Sequence, residues 1–281
     1  MYQAAWIFFI YAFLGWCTEV SFAALTTGKF VNRGFLNGPV CPIYGVGVSV
    51  VLLCLEPLAG NLLVLFIGSV ILTSALEWLT GFVLEKLFHQ RWWDYSNEPF
   101  QLGGYICLRF SIAWGFACVF VVKLVHPSVL LLIRLVPHTL GVVLLVCMSL
   151  TLIVDVVATV ISVTKLNQHL AQMEQLAARI RALSDEVGES LADKVLDTAQ
   201  RGGEVRQELS QAWEQRQEEL HQRRQQRQEE LAQLRRKLHE LADQPAFGRR
   251  RLLRAFPKMR SVDHRQTLEH LRKWMEEHRW G

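Results

Sequence analysis

Charge is scarce in the first 163 residues of this 281-residue chain, which hold only seven Lys or Arg and seven Asp or Glu. Residues 164–281 hold 23 basic and 19 acidic side chains, and therefore the whole net charge of +4. This contrast predicts a membrane domain followed by a charged, soluble region. The modest positive excess fits a cytoplasmic surface beside anionic lipid, and it argues against a dedicated nucleic-acid-binding protein.

Motifs of several function classes are missing. The six cysteines form no CxxC pair and, with the histidines, no zinc spacing, so we predict neither disulfides nor a metal site and expect them to pack between helices. Without a Walker A pattern (GxxxxGK[ST]), any ATP dependence must come from a separate ATPase subunit. We therefore predict no cofactor and no catalytic activity of the chain's own. The N-terminus lacks a signal peptide's basic stretch, so the first apolar run is expected to be a retained span.

Long apolar runs predict an all-α fold, a polytopic membrane helix bundle of about five transmembrane helices with a long C-terminal cytoplasmic helical extension. The spans cover 2–26, 43–58, 61–85, 105–125 and 138–163. A span needs about 20 apolar residues, so the second is short unless residues 38–42 also dip into the membrane. The Leu130–Val136 run lies between Pro127 and Pro137, and we expect it to be an interfacial or short connecting helix.

Lys and Arg in short loops set the orientation of a membrane protein. The loops 27–42 and 86–104 each carry two such residues, and a highly charged tail follows the last span. With an odd number of spans, both loops and the tail share one side of the membrane. We therefore predict a multi-pass protein of a bacterial cell membrane, with the N-terminus outside and the tail in the cytoplasm.

Four ionisable residues interrupt four different spans, namely Glu19, Glu77, Arg109 and Asp155. In the predicted orientation each lies about 8–12 Å below the inner interface, at 1.5 Å per residue. A charge in hydrocarbon costs about 2.5–3.5 kcal/mol, so such residues usually face a bundle interior or a wet cavity. We predict one chamber open to the cytoplasm with excess negative charge, in which at least one carboxylate is protonated or binds a cation. Alternatively, Arg109 and an acid only clamp two helices together.

The two inner loops carry further candidates. Residues 32–45 contain two prolines and three glycines, which exclude a continuous helix, and non-helical backbone at membrane depth is buried in protein or lines a wet cavity. This loop either binds a polar or anionic ligand or is a simple tight turn. Residues 91–105 fold over the chamber mouth, form only an aromatic belt and turn, or do both. The predicted pathway residues in these two segments are Asn32, Arg33, Asn37, Tyr44, Asp94, Tyr95 and Asn97.

The same segments carry a family resemblance. Its motifs are Gly15–Glu19, Asn32–Gly45, Glu77–Gly81, Arg91–Ser96, Gly104–Leu108 and Ser111–Gly115. As an ordered set over about residues 1–163, they resemble the ABC transporter permease family that is called CmpB-like or type IV. The resemblance implies an ABC-type transporter permease subunit. In some members of this family, Arg stands at the position of Tyr105. In the present chain, Arg109 lies one helical turn further on the same face.

The charged half predicts helices. Apolar residues at 3–4 spacing over 166–191 continue the last span as an amphipathic helix, and Gly202-Gly203 is the expected break. A thinner apolar stripe over 205–241 indicates a coiled-coil hairpin or a stalk that forms a homo-oligomer. Residues 249–260 carry six basic and no acidic side chains, which favours anionic headgroups of the lipid bilayer over nucleic acid. Ser261 is expected to cap a last amphipathic helix.

These patterns divide the chain into a transmembrane permease-like domain (1–163), a cytoplasmic coiled-coil or helical region (164–243) and a basic amphipathic C-terminal tail (244–281). The favoured function is a transport component for a small polar or charged solute. One alternative is an inner-leaflet lipid-modifying enzyme, in which Arg109 holds an anion beside an acidic catalyst. The other is a membrane-anchored scaffold that uses the helical tail.

Overall fold

The structure is a computed structural model, and it describes residues 1–200, 210–243 and 249–277. The described residues form the predicted all-α fold. Its helices are α1 (Tyr2–Thr27), α2 (Pro42–Leu55), α3 (Leu62–Phe88), α4 (Leu108–Phe120), α5 (His126–Leu135), α6 (His138–Gln200), α7 (Ser210–Asp243), α8 (Arg249–Ala255) and α9 (Arg265–Glu277). Two antiparallel pairs of two-residue strands join β1 (Gln90–Arg91) to β4 (Arg260–Ser261) and β2 (Gln101–Leu102) to β3 (Ile106–Cys107).

Four helical segments are long and apolar enough to cross a membrane. They are Tyr2–Thr27, Leu62–Phe88, Leu108–Leu135 and His138–Asp185. The remaining predicted span, 43–58, is the shorter apolar helix Pro42–Leu58, in which α2 ends in one 3-10 turn. Pro42 opens α2 at a position where its missing N–H leaves no hydrogen bond unmade. The first, second, third and fifth predicted spans begin within one residue of the start of an observed helix.

The expectation of a separate connecting helix at Leu130–Val136 was wrong. Instead, α4 continues through a turn of π-helix, Val121–Val125, directly into α5. Pro127 lies in the first turn of α5, where the wider π-type hydrogen bonding accommodates a residue that lacks an N–H. Two prolines in the sequence therefore did not mark two helix ends; only Pro137, just after Leu135, does so.

The chain folds as two compact units. Unit one contains residues 1–166 and 246–265, and unit two contains residues 167–245 and 266–281. The core of unit one lies where α1, α2, α3, α4 and α5 meet, and its buried members include Tyr11, Val51, Leu52, Leu65, Val122 and Ile133. In unit two, Leu170 and Met173 of α6 and Leu268 and Leu271 of α9 are buried.

Parts of the sequence-based description of the tail remain predictions. The break expected at Gly202-Gly203 lies outside the described residues. Ser261 belongs to β4, and its hydroxyl accepts a hydrogen bond from the backbone N–H of His264, just before α9 begins. The coiled coil and the division at residues 163 and 243 also remain predictions.

Helices α1 and α2 cross at a glycine. A Cβ atom on Gly45 would lie 2.6 Å from the backbone oxygen of Phe8 and 2.7 Å from its Cδ2 atom. Because the nearest obstacle is backbone, a larger residue at position 45 would force the two helices apart. Gly47, one half-turn further along α2, would place a Cβ atom in open space.

We expect Gly45→Ala to destabilise unit one by about 1–3 kcal/mol, the usual cost of forcing an extra methyl group into a packed interior. The matched control is Gly47→Ala, which gains the helix propensity of alanine and meets no neighbour within 4 Å. The measurement is the thermal unfolding midpoint of the purified protein in detergent. Equal midpoints for the two variants would contradict the close approach of α1 and α2.

Candidate functional site

Two irregular segments lie together at one end of unit one, which we call the loop face. The first loop (residues 28–41) joins α1 to α2, and the second loop (residues 89–107) joins α3 to α4. They touch through aromatic side chains: the ring centroids of Phe35 and Trp92 are 4.9 Å apart in an edge-to-face contact. The loop face is therefore a packed structure and not a pair of free connections.

Asn32 holds the first loop in shape. Its Oδ1 atom accepts hydrogen bonds from Nε1 of Trp16, at 2.8 Å, and from the backbone N–H of Gly34, at 3.1 Å. Its Nδ2 atom donates to the backbone oxygen of Asn37 at 2.8 Å. One amide side chain thus joins two points of the first loop to Trp16 of α1.

Asp155 of α6 also anchors the first loop. One carboxylate oxygen accepts hydrogen bonds from the backbone N–H of Asn37 (2.9 Å) and from its Nδ2 atom (2.8 Å). The other oxygen accepts the backbone N–H of Gly38 at 2.7 Å. Thr159, one turn along α6, accepts a second hydrogen bond from Nδ2 of Asn37 at 3.1 Å. Such charge-assisted bonds satisfy both partners inside an apolar bundle.

Glu19 meets residues from two other elements. The hydroxyl of Tyr44 in α2 donates to Oε1 of Glu19 at 2.7 Å. Arg33 of the first loop lies 3.6 Å from the other carboxylate oxygen, measured from its Nε atom. Glu19 is therefore compensated by one cation and one hydroxyl group.

Glu77 of α3 has less support. The hydroxyl of Tyr95 in the second loop donates to its Oε1 atom at 3.3 Å, and the Tyr95 ring stacks on Phe110 at 4.9 Å. The other oxygen, Oε2, is buried and accepts no hydrogen bond from any residue that the structure describes. A buried carboxylate oxygen without a donor is costly unless it carries a proton or binds a cation.

The two acids belong to one cluster. Tyr44, the partner of Glu19, meets Trp114 of α4 edge to face at 5.6 Å, and Tyr95, the partner of Glu77, stacks on Phe110, one turn earlier in the same helix. Burial, reinforced by these nearby carboxylates, raises the pKa of Tyr95 above its usual value, so its hydroxyl remains a donor at neutral pH. We call this set the acid–tyrosine cluster; its members are Glu19, Arg33, Tyr44, Glu77 and Tyr95.

Asp94 organises the second loop. Its Oδ1 atom accepts the backbone N–H of Ser96 at 2.9 Å and the hydroxyl of the same residue at 2.5 Å. The Nη1 atom of Arg91 lies 3.9 Å from the same Oδ1 atom, and the Nη1 atom of Arg260 lies 2.5 Å from the other carboxylate oxygen, Oδ2. Burial opposes ionisation, but these hydrogen bonds and cations outweigh it and hold the pKa of Asp94 below its usual value. The negative charge of Asp94 is thus balanced by two arginines. Its side chain anchors the second loop and is not an exposed acid at a chamber mouth.

The remaining predicted residues stand apart. The side chain of Arg109 is exposed, its guanidinium lies 5.9 Å from the centroid of the Phe110 ring, and it makes no ion pair within the described part of the chain. Asn97 is also exposed. Thus neither the predicted pairing of Arg109 with an acid nor its alternative role as a helix clamp is found, and the contacts of Asp155 differ from those of the cluster.

Comparison with protein-family models matches residues 6–160 to the family described as "Putative ABC-transporter type IV". The chain belongs to this family. Together with four apolar helices of membrane-spanning length, the family indicates a membrane protein and a transporter component. No curated protein and no solved structure matches the chain. The family match includes both loops and every member of the acid–tyrosine cluster.

Two contacts of the loop face are made by residues outside the family match and were not predicted. Arg251 donates three hydrogen bonds to backbone oxygens of the first loop, those of Gly34 (2.9 Å), Phe35 (2.9 Å) and Leu36 (2.8 Å). Arg260 pairs with Asp94, as described above. The sequence offered one signal, the basic run 249–260, but its composition alone suggested an outward-facing lipid contact. At least two of its six basic side chains instead bind unit one itself.

The cluster contains carboxylates but no ligand set typical of a metal centre. Among the residues that the structure describes, no three His, Cys, Asp or Glu side chains come together in a group that could hold a metal ion. The chemistry available at the acid–tyrosine cluster is therefore that of two carboxylates, two phenol hydroxyls and one guanidinium.

Proposed function

We propose that this chain is the membrane subunit of an ABC-type transporter and that its acid–tyrosine cluster binds a small cationic solute or a proton. The family supports the transporter. The observation that carries the ligand class is the buried Oε2 atom of Glu77, which no described residue reaches with a hydrogen bond. An ionised carboxylate in an apolar bundle needs a positive partner, and a solute or a proton supplies one.

The charge balance of the cluster points the same way. Glu19 and Glu77 supply two negative charges, and Arg33 supplies one positive charge next to Glu19 alone. Among the residues that the structure describes, the partner of Glu77 is the neutral Tyr95 hydroxyl, so a bound cation or a proton would supply the missing positive charge. The phenol oxygens of Tyr44 and Tyr95 can turn a lone pair to the same cation while they donate to the acids.

The orientation and the partner belong to this proposal. Lys29, Arg33, Lys86 and Arg91 all lie at or next to the loop face, and this distribution of positive charge supports a cytoplasmic location of that face. The chain has no Walker A motif, so a separate ATPase subunit would supply ATP hydrolysis. The acid–tyrosine cluster then faces the compartment in which that subunit binds.

We expect Glu77→Gln to weaken cation binding about tenfold or more, which corresponds to about 1.4 kcal/mol, because the amide removes the uncompensated charge and keeps the shape. Full-length protein is reconstituted into liposomes on a solid-supported membrane, and charge displacement is recorded after concentration jumps of protons, sodium, potassium, ammonium, choline or arginine. The wild-type protein should respond to at least one of these cations without any ATPase subunit.

The control is Glu56→Gln, which removes an exposed acid of the 3-10 turn that ends α2, away from the cluster. It should leave the response unchanged. If the wild-type protein responds to none of the cations, or if Glu77→Gln responds as strongly as the wild type, the proposal fails.

The observed contacts disfavour one of the two alternative functions and favour the other. The lipid-modifying enzyme required Arg109 beside an acidic catalyst, and Arg109 instead lies exposed over Phe110. The scaffold is favoured by the continuation of α6 far beyond the apolar run that ends near Val163, which gives the protein an extended helical region for partners. It predicts that Glu77→Gln leaves every phenotype of the protein intact, so the same variant separates the two functions.

A further inference from the structure

We infer that residues 249–263 form an intramolecular latch that binds the loop face and controls access to the acid–tyrosine cluster. The latch contains α8, β4 and the turn between them. It is far from the loops in sequence, since Arg251 and Gly34 are 217 positions apart, yet it belongs to the same compact unit. The inference concerns the closure of the site and does not depend on which solute binds there.

Arg251 is the first grip of the latch. Its Nη1 atom donates to the oxygens of Gly34 and Leu36, and its Nη2 atom donates to the oxygen of Phe35. Three successive carbonyl groups of an irregular loop have no partners in a helix or sheet, and here one guanidinium satisfies all of them. The nearby carboxylate of Asp155 adds a favourable charge, although burial still lowers the pKa of Arg251.

The second grip acts on the second loop. Strand β4 pairs with β1 so that Arg260 lies opposite Arg91 and Ser261 lies opposite Gln90. The side chain of Arg260 reaches Asp94, and the backbone N–H of Val262 donates to the oxygen of His89 at 3.0 Å. These contacts attach the far end of the latch to the segment that leaves α3.

Between the two grips the latch is buried through apolar side chains. Leu252, Ala255 and Met259 are completely buried, and the Phe256 ring meets Trp92 edge to face with 4.9 Å between centroids. Trp92 in turn contacts Phe35 of the first loop. The latch therefore packs against the aromatic contact that joins the two loops, and its binding favours one arrangement of both.

Each grip lies next to a member of the acid–tyrosine cluster. Gly34, which Arg251 binds, directly follows Arg33, the partner of Glu19. Asp94, which Arg260 binds, directly precedes Tyr95, the partner of Glu77. When the latch dissociates, both cluster side chains supplied by the loops lose the backbone position that aims them at the acids.

The size of the latch makes dissociation feasible. Helix α8 has only seven residues, and a helix of that length is not stable in water without a surface to pack on. Binding and folding of the latch are therefore one local transition, and such small cooperative segments open at a fraction of the global unfolding cost. The side chains of Arg254 and Lys258 point away from this surface and are exposed.

Two native cysteines report on the state of the loops. Cys41 ends the first loop and Cys107 ends the second, and their exposed fractions are 5% and 1%. We expect Arg251→Gln to accelerate their alkylation by N-ethylmaleimide about tenfold or more, because the charged donor that holds the first loop is lost. Full-length protein is labelled in lipid nanodiscs, and each site is quantified by mass spectrometry of its peptide.

Two controls distinguish opening of the latch from general damage. Arg254→Gln removes an exposed arginine of the same helix and should label at the wild-type rate. Cys118, buried in the helical core beside Val122, should stay slow in every variant. Unchanged labelling of Cys41 and Cys107 in Arg251→Gln would overturn the inference. Equal acceleration at Cys118 would overturn it too, since the arginine would then support the whole fold.

A disulfide provides the reverse test. Gln90 and Ser261 face each other across the β1–β4 pair, and Cα atoms of opposed antiparallel residues are about 4.5–5.5 Å apart, within the range that a disulfide spans. In the Arg251→Gln background, Gln90→Cys with Ser261→Cys should restore slow alkylation when oxidised and lose it again on reduction. Fast alkylation in both states would contradict the latch. Because the readout is thiol protection, it stands or falls separately from any cation response.

Discussion

Asp155→Ala is expected to lower the stability of unit one by about 3 kcal/mol, because it removes the charged acceptor of several hydrogen bonds at once. The backbone N–H groups of Asn37 and Gly38 would lose their partner, and the Nδ2 atom of Asn37 would keep only Thr159. In an apolar bundle no water replaces an acceptor cheaply. The first loop should therefore detach from α6, with a lower thermal midpoint and faster amide exchange of residues 34–40.

The conservative variant tests the geometry more finely. Asp155→Asn keeps one acceptor oxygen for Asn37 but turns an NH2 group towards the N–H of Gly38, so it should fall between the wild type and alanine. Glu56→Gln removes an exposed carboxylate elsewhere and should change neither the midpoint nor the exchange. If Asp155→Ala matched this control, Asp155 would not be the anchor of the loop.

The helices could be predicted from sequence because a membrane span depends on a local property, the length of an apolar run. The predicted span 61–85 corresponds to α3 at Leu62–Phe88, and the span 2–26 corresponds to α1. The error at Leu130–Val136 has the opposite origin. Pro127 was taken as a break, but a turn of π-helix carries the chain past it, and that choice depends on backbone geometry that the residue type does not reveal.

The candidate site could be predicted from the sequence only in part, for a related reason. Counting residues along a span gives depth at 1.5 Å each, but each residue also turns about 100° around the axis, and only packing decides which direction faces the interior. Glu19 and Glu77 each meet a tyrosine of another element, whereas the side chain of Arg109, at the start of α4, is exposed. Depth alone therefore placed four residues at one level without showing which of them meet.

The latch could not be predicted from the sequence because no local pattern marks it. The basic run 249–260 has the composition of a lipid-binding surface, and in that respect Arg251 and Arg254 are equivalent. In the structure Arg251 binds three backbone oxygens while Arg254 is exposed. Their different roles depend on a partner more than 200 residues away, and a single sequence contains no record of that pairing.

Gly104→Ala is expected to be the most damaging glycine substitution in the loops, at about 3 kcal/mol. Gly104 has a φ angle of +75°, which costs a residue with a side chain about 1–2 kcal/mol. In addition, its Cβ atom would lie 2.7 Å from Oγ of Ser96 and 2.8 Å from Oδ1 of Asp94. Overpacking of this kind adds about 1–3 kcal/mol.

A second glycine isolates the two contributions. Gly28 has a nearly equal φ angle of +68°, but a Cβ atom there would meet nothing within 4 Å. Gly28→Ala should therefore show only the backbone cost, and the difference between the two thermal midpoints measures the clash with Ser96 and Asp94. Because Asp94 receives Arg260, Gly104→Ala should also accelerate alkylation of Cys107, whereas Gly28→Ala should not. Identical midpoints and alkylation rates would show that the second loop does not hold Asp94 as described, and the second grip of the latch would fail with it.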